Sequence, residues 1–184
     1  VTEPIKHRIP SAAGRASVRL VQLSPAVLAA LLDGDLAGAS ARAGVALTDF
    51  FLAEEALWLW RLRLDQIAAD PGSARWVARA AVAEPEGEVV GYAGFHGPPD
   101  AAGMVEVGYS VAPDRRRRGH ARAILAELLR WAGAESGVRT VRASIRPDNT
   151  ASLATISGFG FVEVGEQWDE VDGRELLFEC PEPH

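Results

Sequence analysis

The sequence predicts a single α/β domain whose sheet contains both parallel and antiparallel strands. Three observations carry that prediction. A strand (Met104 to Ala112), an amphipathic helix (Gly119 to about Glu135) and a second strand (Thr140 to Arg146) follow in turn, which makes a right-handed βαβ unit with parallel strands. Alternating segments on either side pair as hairpins: Arg75 to Glu84 with Glu88 to His96 around Pro85-Glu86-Gly87, and Phe161 to Trp168 with Arg174 to Glu179 around Asp172-Gly173. The 184 residues suit one domain with a proper core, and neither a repeat nor a second domain is visible.

Taken in order, Val1 to Arg15 holds two prolines and little periodicity, and reads as a loose arm ahead of a domain over 16–184. Ser17 to Leu23 alternates and gives a first strand. Ser24-Pro25 opens a helix that runs to about Leu32, with serine as N-cap and proline at the first helical position. Asp35 to Leu47 is rich in Gly, Ala and Ser without a clear period, and reads as a loop. Thr48 or Asp49 caps a longer helix through about Ala68, closed by Asp70-Pro71-Gly72. In the helix after Gly119, Ala121, Ile124, Leu125, Leu128, Leu129 and Ala132 form one stripe that faces the sheet. Pro147 stops the following strand, and Asn149 to Ser157 is a short helix.

The most informative stretch is Val111-Ala112-Pro113-Asp114-Arg115-Arg116-Arg117-Arg118-Gly119-His120-Ala121. A strand ends at a proline, a basic turn follows, and a helix starts at a glycine. That order aims backbone N–H groups and the positive end of a helix dipole at one spot. Gly119 lets a ligand approach the main chain where a Cβ would intrude. The spot suits a phosphorylated ligand, above all a pyrophosphate. On its own, the arginine run also reads as a solvated basic turn.

These residues resemble a known family. Arg116-Arg117-Arg118-Gly119-His120-Ala121 fits the Arg/Gln-x-x-Gly-x-Gly/Ala signature of the GCN5-related N-acetyltransferases (GNAT). Downstream, Asn149-Thr150-Ala151-Ser152 and then Gly158-Phe159-Gly160-Phe161 are similar to the Asn-x-x-Ser…Gly-Phe element of that superfamily, most of all in its ribosomal-protein N-terminal acetyltransferase branch. The resemblance covers roughly Trp76 to Phe178. It implies a mostly antiparallel central sheet with one splayed parallel strand pair and flanking helices. It also implies acetyl transfer from acetyl-CoA to an amine by direct attack, with no metal.

Bulk properties agree. The net charge of −6 argues against a nucleic-acid binder despite the arginine run. One cysteine, Cys180, excludes an internal disulfide and a cysteine-ligated metal site. No apolar run of membrane-spanning length is present, so the expectation is a cytoplasmic protein without a membrane partner.

The resemblance assigns roles to particular residues. The amides of about Arg117 to Ala121 cradle the coenzyme A pyrophosphate, with Arg116, Arg117 and Arg118 adding charge, and His120 sits at the rim. Val111, where the motif strand parts from its parallel neighbour, makes main-chain contacts to the pantetheine arm. Asn149 lies beside the pantetheine or the sulfur. Ser152 is similar to the serine that serves the departing sulfur, and many relatives use a tyrosine there, which this chain lacks. The plainer reading has Asn149 cap the short helix and Ser152 support it.

An amine attacks a thioester only when neutral. An α-amino group with a pKa of about 7.7–8.0 is roughly a third neutral at pH 7.5, whereas a lysine side chain is neutral about once in a thousand. A proton acceptor is therefore needed, and Glu106, a carboxylate on a mostly apolar strand, is the candidate base. Alternation puts Glu106, Gly108 and Ser110 on the face opposite Val105, Val107 and Tyr109. An ordinary ion pair is the plainer role for Glu106, and His96 is an alternative base. The resemblance places the acceptor pocket between the first two helices and the last hairpin, where this chain has Phe50, Phe51, Trp58, Trp60, Trp168, Asp169 and Glu170, with Asp35 to Leu47 as a lid. Its occupant is an amine, either a small molecule or a protein N-terminus. The exposed strands of such domains often pair, which allows a homodimer. A catalytically silent acyl-CoA-binding sensor is the alternative to an enzyme.

Overall fold

A computed structural model describes residues 16–171, 173–181 and 183. The arm expected over residues 1–15 lies outside the described residues, as does Asp172 of the last turn. The strands are β1 (Ser17–Gln22), β2 (Arg79–Glu84), β3 (Val89–Phe95), β4 (Met104–Val111), β5 (Thr140–Ile145), β6 (Val162–Asp169) and β7 (Gly173–Pro181). They form one seven-stranded sheet in the order β1-β2-β3-β4-β5-β7-β6. Neighbours run antiparallel except β4 and β5, which are parallel. A helix between β4 and β5 returns the chain to the same edge, and so imposes that direction.

The helices are α1 (Pro25–Leu32), α2 (Leu36–Ala43), α3 (Glu54–Ala69), α4 (Ala74–Val77), α5 (His120–Ala134) and α6 (Thr150–Ile156). They cover both faces of the sheet. Phe95 on β3 meets Trp131 of α5 at a ring separation of 4.7 Å, so the side chains in phase with Phe95, including Val107 across the rung, face α5. Tyr92 packs against Phe50, Phe51 and Trp60, and points to the opposite face with α3. The apolar stripe of α5 is buried at Ile124, Leu125, Leu128, Leu129 and Ala132. At about 25 cal/mol per Å² of apolar area, such stripes are the main force holding helices to sheet.

Three expectations need correction. Asp35 to Leu47 is not a loop, because α2 fills most of it: the Asp35 carboxylate accepts from the Gly38 amide at 2.8 Å, and Gly44 ends the helix at φ 69°. Ala39 is the only buried residue of α2, so its apolar period is too weak to read. The long helix from Thr48 or Asp49 is two pieces, a 3₁₀ turn at Asp49–Leu52 and then α3, with Ala53 extended between them. The break lets the Phe51 carbonyl accept from the Trp60 indole at 2.9 Å. Arg75 does not begin a strand, since α4 precedes β2 and buries Trp76 and Val77.

The register of β4 builds the site. Its pairing to β5 is recorded only from Met104↔Thr140 to Glu106↔Arg142. On the other side, the His96 amide donates to Glu106 O and the Ala112 amide to Val90 O. Antiparallel ladders alternate, so Glu106, Gly108, Ser110 and Ala112 turn their backbone groups toward β3. Val107, Tyr109 and Val111 turn theirs toward β5, beyond the point where that pairing ends. The parallel pair is splayed, as the resemblance implied.

Candidate active site

Two cavities meet in the splay. The larger, about 640 Å³, is lined by Val111, Arg116, Arg117, Gly119, His120 and Ala121 on one side and by Asn149 and Ser152 on the other. Arg118 of the same turn is not among its lining residues. The smaller, about 410 Å³, contains Glu106, His96, Ser144, Gln167, Asp169 and Glu175. Tyr109, Asn149 and Ser152 belong to both.

The basic turn adopts an unusual backbone. Gly119 has φ 85° and Arg117 has φ 58°, so two residues of the turn are left-handed. Gly119 N-caps α5 without a side chain to accept hydrogen bonds, and the first turn closes only with Ala123 N to Gly119 O at 3.0 Å. The leading amides of α5 are left as donors at a helix N-terminus, an anion site by construction. His120 Nδ1 is buried there without a partner among the described residues. Burial, aided by Arg118 and Arg115, holds His120 below its usual pKa. These orphaned donors fit a diphosphate.

The arginines differ in availability. Arg115 is tied to Glu88 and Asp114. Arg116 folds back, and its Nε donates to the Val111 carbonyl at 3.0 Å. That bond occupies the carbonyl at the end of the splayed strand and leaves the Val111 amide facing the cavity. Arg122, absent from the sequence reading, donates to the carbonyls of Thr155 and Ser157 at 3.1 and 2.9 Å, and its guanidinium lies 4.7 Å from the Phe159 ring. It thereby clamps α6, the far wall of the cavity, to α5. Gly158 and Gly160, at φ 85° and 79°, turn the chain out of α6 around that ring.

Asn149 and Ser152 stand where the two cavities join. Asn149 Oδ1 caps α6 by accepting from the Ser152 amide at 3.1 Å, so the capping role read from sequence is present. Ser152 lines both cavities. So does Tyr109, whose phenol shares a hydrogen bond with Thr155 and is pushed up in pKa by burial. It stays protonated at neutral pH. Its position on β4, outside the second motif, hid it from motif reading.

Glu106 is four-fifths buried in the smaller cavity. Its Oε1 accepts from the Ser144 hydroxyl at 2.6 Å and lies 3.6 Å from His96 Nδ1. A Cβ on Gly108 would come within 3.0 Å of the His96 ring, so glycine there makes room for the imidazole. The His96 carbonyl is held from α3 by Arg63 Nη1 at 3.0 Å and Gln66 Nε2 at 2.8 Å. Burial holds His96 below its usual pKa, Glu106 opposes the shift, and Arg63 adds to it. His96 is neutral at pH 7, so the pair is a carboxylate beside a neutral imidazole.

Phase explains the rest of this cavity. Glu106, Ser144, Gln167, Asp169 and Glu175 come from four strands whose registers put them on one face. Of the residues expected near the acceptor, Asp169 is there. Phe51 and Trp60 are core, Phe50 packs on Tyr92, and Trp58 and Trp168 are exposed at 58% and 78%. Neither Glu170 nor any residue of α2 lines either cavity. Ser144, Gln167 and Glu175 carry no local motif, and sequence reading missed them.

A mixed sheet splayed at β4 and β5, with an open helix N-terminus at its gap, is the architecture of the GNAT acetyltransferase fold. The acetyltransferase (GNAT) family model matches residues 45–161, and the chain belongs to that family. It is 31% identical over 115 residues to the uncharacterized N-acetyltransferase YjdG of Bacillus subtilis. That match spans 62% of this chain and 65% of the relative, just under two thirds of its length. Among solved structures, the fold is similar to Mycobacterium smegmatis RimJ in complex with CoA-disulfide, with a TM-score of 0.60, 24% identity, and 91% and 86% of the two chains covered. It is also similar to a variant of the spermidine N-acetyltransferase SpeG from Vibrio cholerae, with a TM-score of 0.58, 15% identity, and 91% and 94% covered. The ribosomal-protein branch is thus one of several with this fold. Among the described residues no cluster of metal-ligating side chains occurs, and no helix is long and apolar enough to cross a membrane.

Proposed function

We propose that the protein transfers an acetyl group from acetyl-CoA to an amine, with coenzyme A in the larger cavity and the acceptor in the smaller. The observation that carries this is the junction itself: Tyr109, Asn149 and Ser152 wall both cavities, and a buried carboxylate stands just inside the second. The open amides from Arg117 to Ala121, with His120 and the Arg116 and Arg117 charges, bind the diphosphate, and Arg118 adds to the field from outside. The free amide of Val111 and the backbone groups of Tyr109 hold the extended arm as an added strand.

Glu106 is the proton acceptor. Ser144 fixes its carboxylate, and the neutral His96, half exposed, passes the proton on to solvent. As the amine attacks, the C–N bond forms and the C–S bond breaks. The electron pair leaves on sulfur and the amine proton goes to Glu106. Ser152 donates a hydrogen bond to the thiolate, with the protonated Tyr109 phenol beside it. A silent acyl-CoA-binding module has no use for a base held in this way. We place the enzyme in the cytoplasm, and a homodimer is consistent with its exposed edge strand β6.

Thermal shift with acetyl-CoA, beside an equal concentration of ATP, tests the cofactor half. Ligand at 100 times its Kd adds about 2.7 kcal/mol, a rise of roughly 5–11 °C for a chain this size. No shift, or an equal shift with ATP, rejects the assignment.

A further inference from the structure

We propose that the acceptor carries two amino groups: one is acetylated at Glu106, and the other stays protonated and is held by Glu175 and Asp169. This rests on the assignment of the smaller cavity to the acceptor. It is carried by a buried charge without a counter-charge. Glu175 is only 8% exposed, and its recorded hydrogen bond is to a neutral group, Gln167 Nε2 at 2.9 Å. No ion pair to Glu175 exists among the described residues. A carboxylate removed from water is costly unless a cation joins it.

The surroundings deepen that need. Glu106, Asp169 and Glu175 all line the cavity, with no arginine or lysine among its lining residues. Arg142, in phase with Glu106, is bound to Glu179 at 2.6 Å, and Arg63, whose Nη1 donates to Gln66 and to the His96 carbonyl, lies outside that lining. His96 is held neutral. The cavity is therefore an anionic chamber whose far wall, at the β6–β7 hairpin, attracts a cation, while its near wall has the base beside the cofactor junction. An acceptor with a negative far end would meet two carboxylates, and one with an apolar far end would leave Glu175 buried without its cation. A diamine satisfies both ends.

Steady-state acetylation with acetyl-CoA tests this. The acceptors are α,ω-diamines of three to five methylenes, each against the n-alkylamine and the ω-amino acid of equal length. At least one diamine is expected to exceed its alkylamine at least tenfold in kcat/KM, mainly through KM, with the ω-amino acid slowest. Glu175→Gln is expected to bring the diamine-to-alkylamine ratio toward one. Asp169→Asn, at a less buried position, makes the same test should Glu175→Gln fail to fold. Equal rates for diamines and alkylamines, a preference for the amino acids, a ratio unmoved in the folded variants, or a peptide N-terminus taken ahead of every diamine would overturn the inference. So would bound acetyl-CoA, measured by calorimetry, with no diamine acetylated. Failure of acetyl-CoA to bind would instead bring down the cofactor assignment on which the inference rests.

Discussion

The Ser144 hydroxyl donates a 2.6 Å hydrogen bond to Glu106 Oε1 across the parallel strand pair, just past the last recorded rung at Glu106↔Arg142. The rung brings the two strands close enough for that bond, and the splay beyond it opens the space that we assign to the amine. Glu106→Gln keeps the size and the Ser144 contact but removes the proton acceptor. It is expected to lower kcat by about 10²–10⁴, the usual range for a general base. Acetyl-CoA affinity by calorimetry should stay within twofold. A variant with full turnover would remove Glu106 from the chemistry.

The two left-handed residues of the basic turn should respond differently to substitution. Gly119→Ala puts a side chain at φ 85°, where space is not the difficulty, since the new Cβ would meet only Ala16 Cβ at 3.5 Å. The strain is conformational, about 1–2 kcal/mol, which lowers Tm by roughly 2–8 °C. Arg117→Gly relieves a residue already at φ 58°. That gain roughly offsets the extra entropy glycine brings to the unfolded chain, about 0.4–1 kcal/mol, so its Tm should barely move. Thermal melts without ligand check both, and equal losses in the two variants would refute the argument.

Asn149 and Ser152 are separable by readout. Asn149→Ala removes the cap of α6 and should destabilise by about 1 kcal/mol, with Asn149→Asp restoring it. Ser152→Ala keeps the capping amide, so Tm should hold while kcat falls. Should Ser152→Ala melt early and turn over normally, the serine is structural only.

Acidification should weaken the fold through His96. Its folded pKa lies below the unfolded value of about 6.5, so the unfolded chain takes up the proton first as pH falls. Stability from this group is whole above about pH 6.5 and declines below it. Melting curves from pH 7.5 to 5 should fall more steeply for wild type than for His96→Gln. Parallel curves would show that His96 is not held neutral.

Much of the larger cavity was legible because its determinants are local. The Pro113 stop, the arginine turn, Gly119 and the stripe of α5 lie within one stretch of chain, and Asn149 through Gly160 repeats that economy at the facing wall. Period, capping chemistry and positive φ are properties of neighbours in sequence. What failed locally was α2, whose small residues bury too little for a period to show, and the 3₁₀ break before α3, which a buried indole hydrogen bond from Trp60 stabilises.

The sequence by itself determined the class of fold, the basic turn with its glycine ahead of α5 and the parity that sets Glu106 apart from the apolar face of β4. Only the tertiary structure decided the smaller cavity. Glu175, Gln167, Ser144 and His96 meet Glu106 because of strand order, the phase of four strands and the glycine that lets His96 lie over β4. Those relations join residues far apart in the chain, and a shift of one residue in any register would turn the carboxylates to the other face.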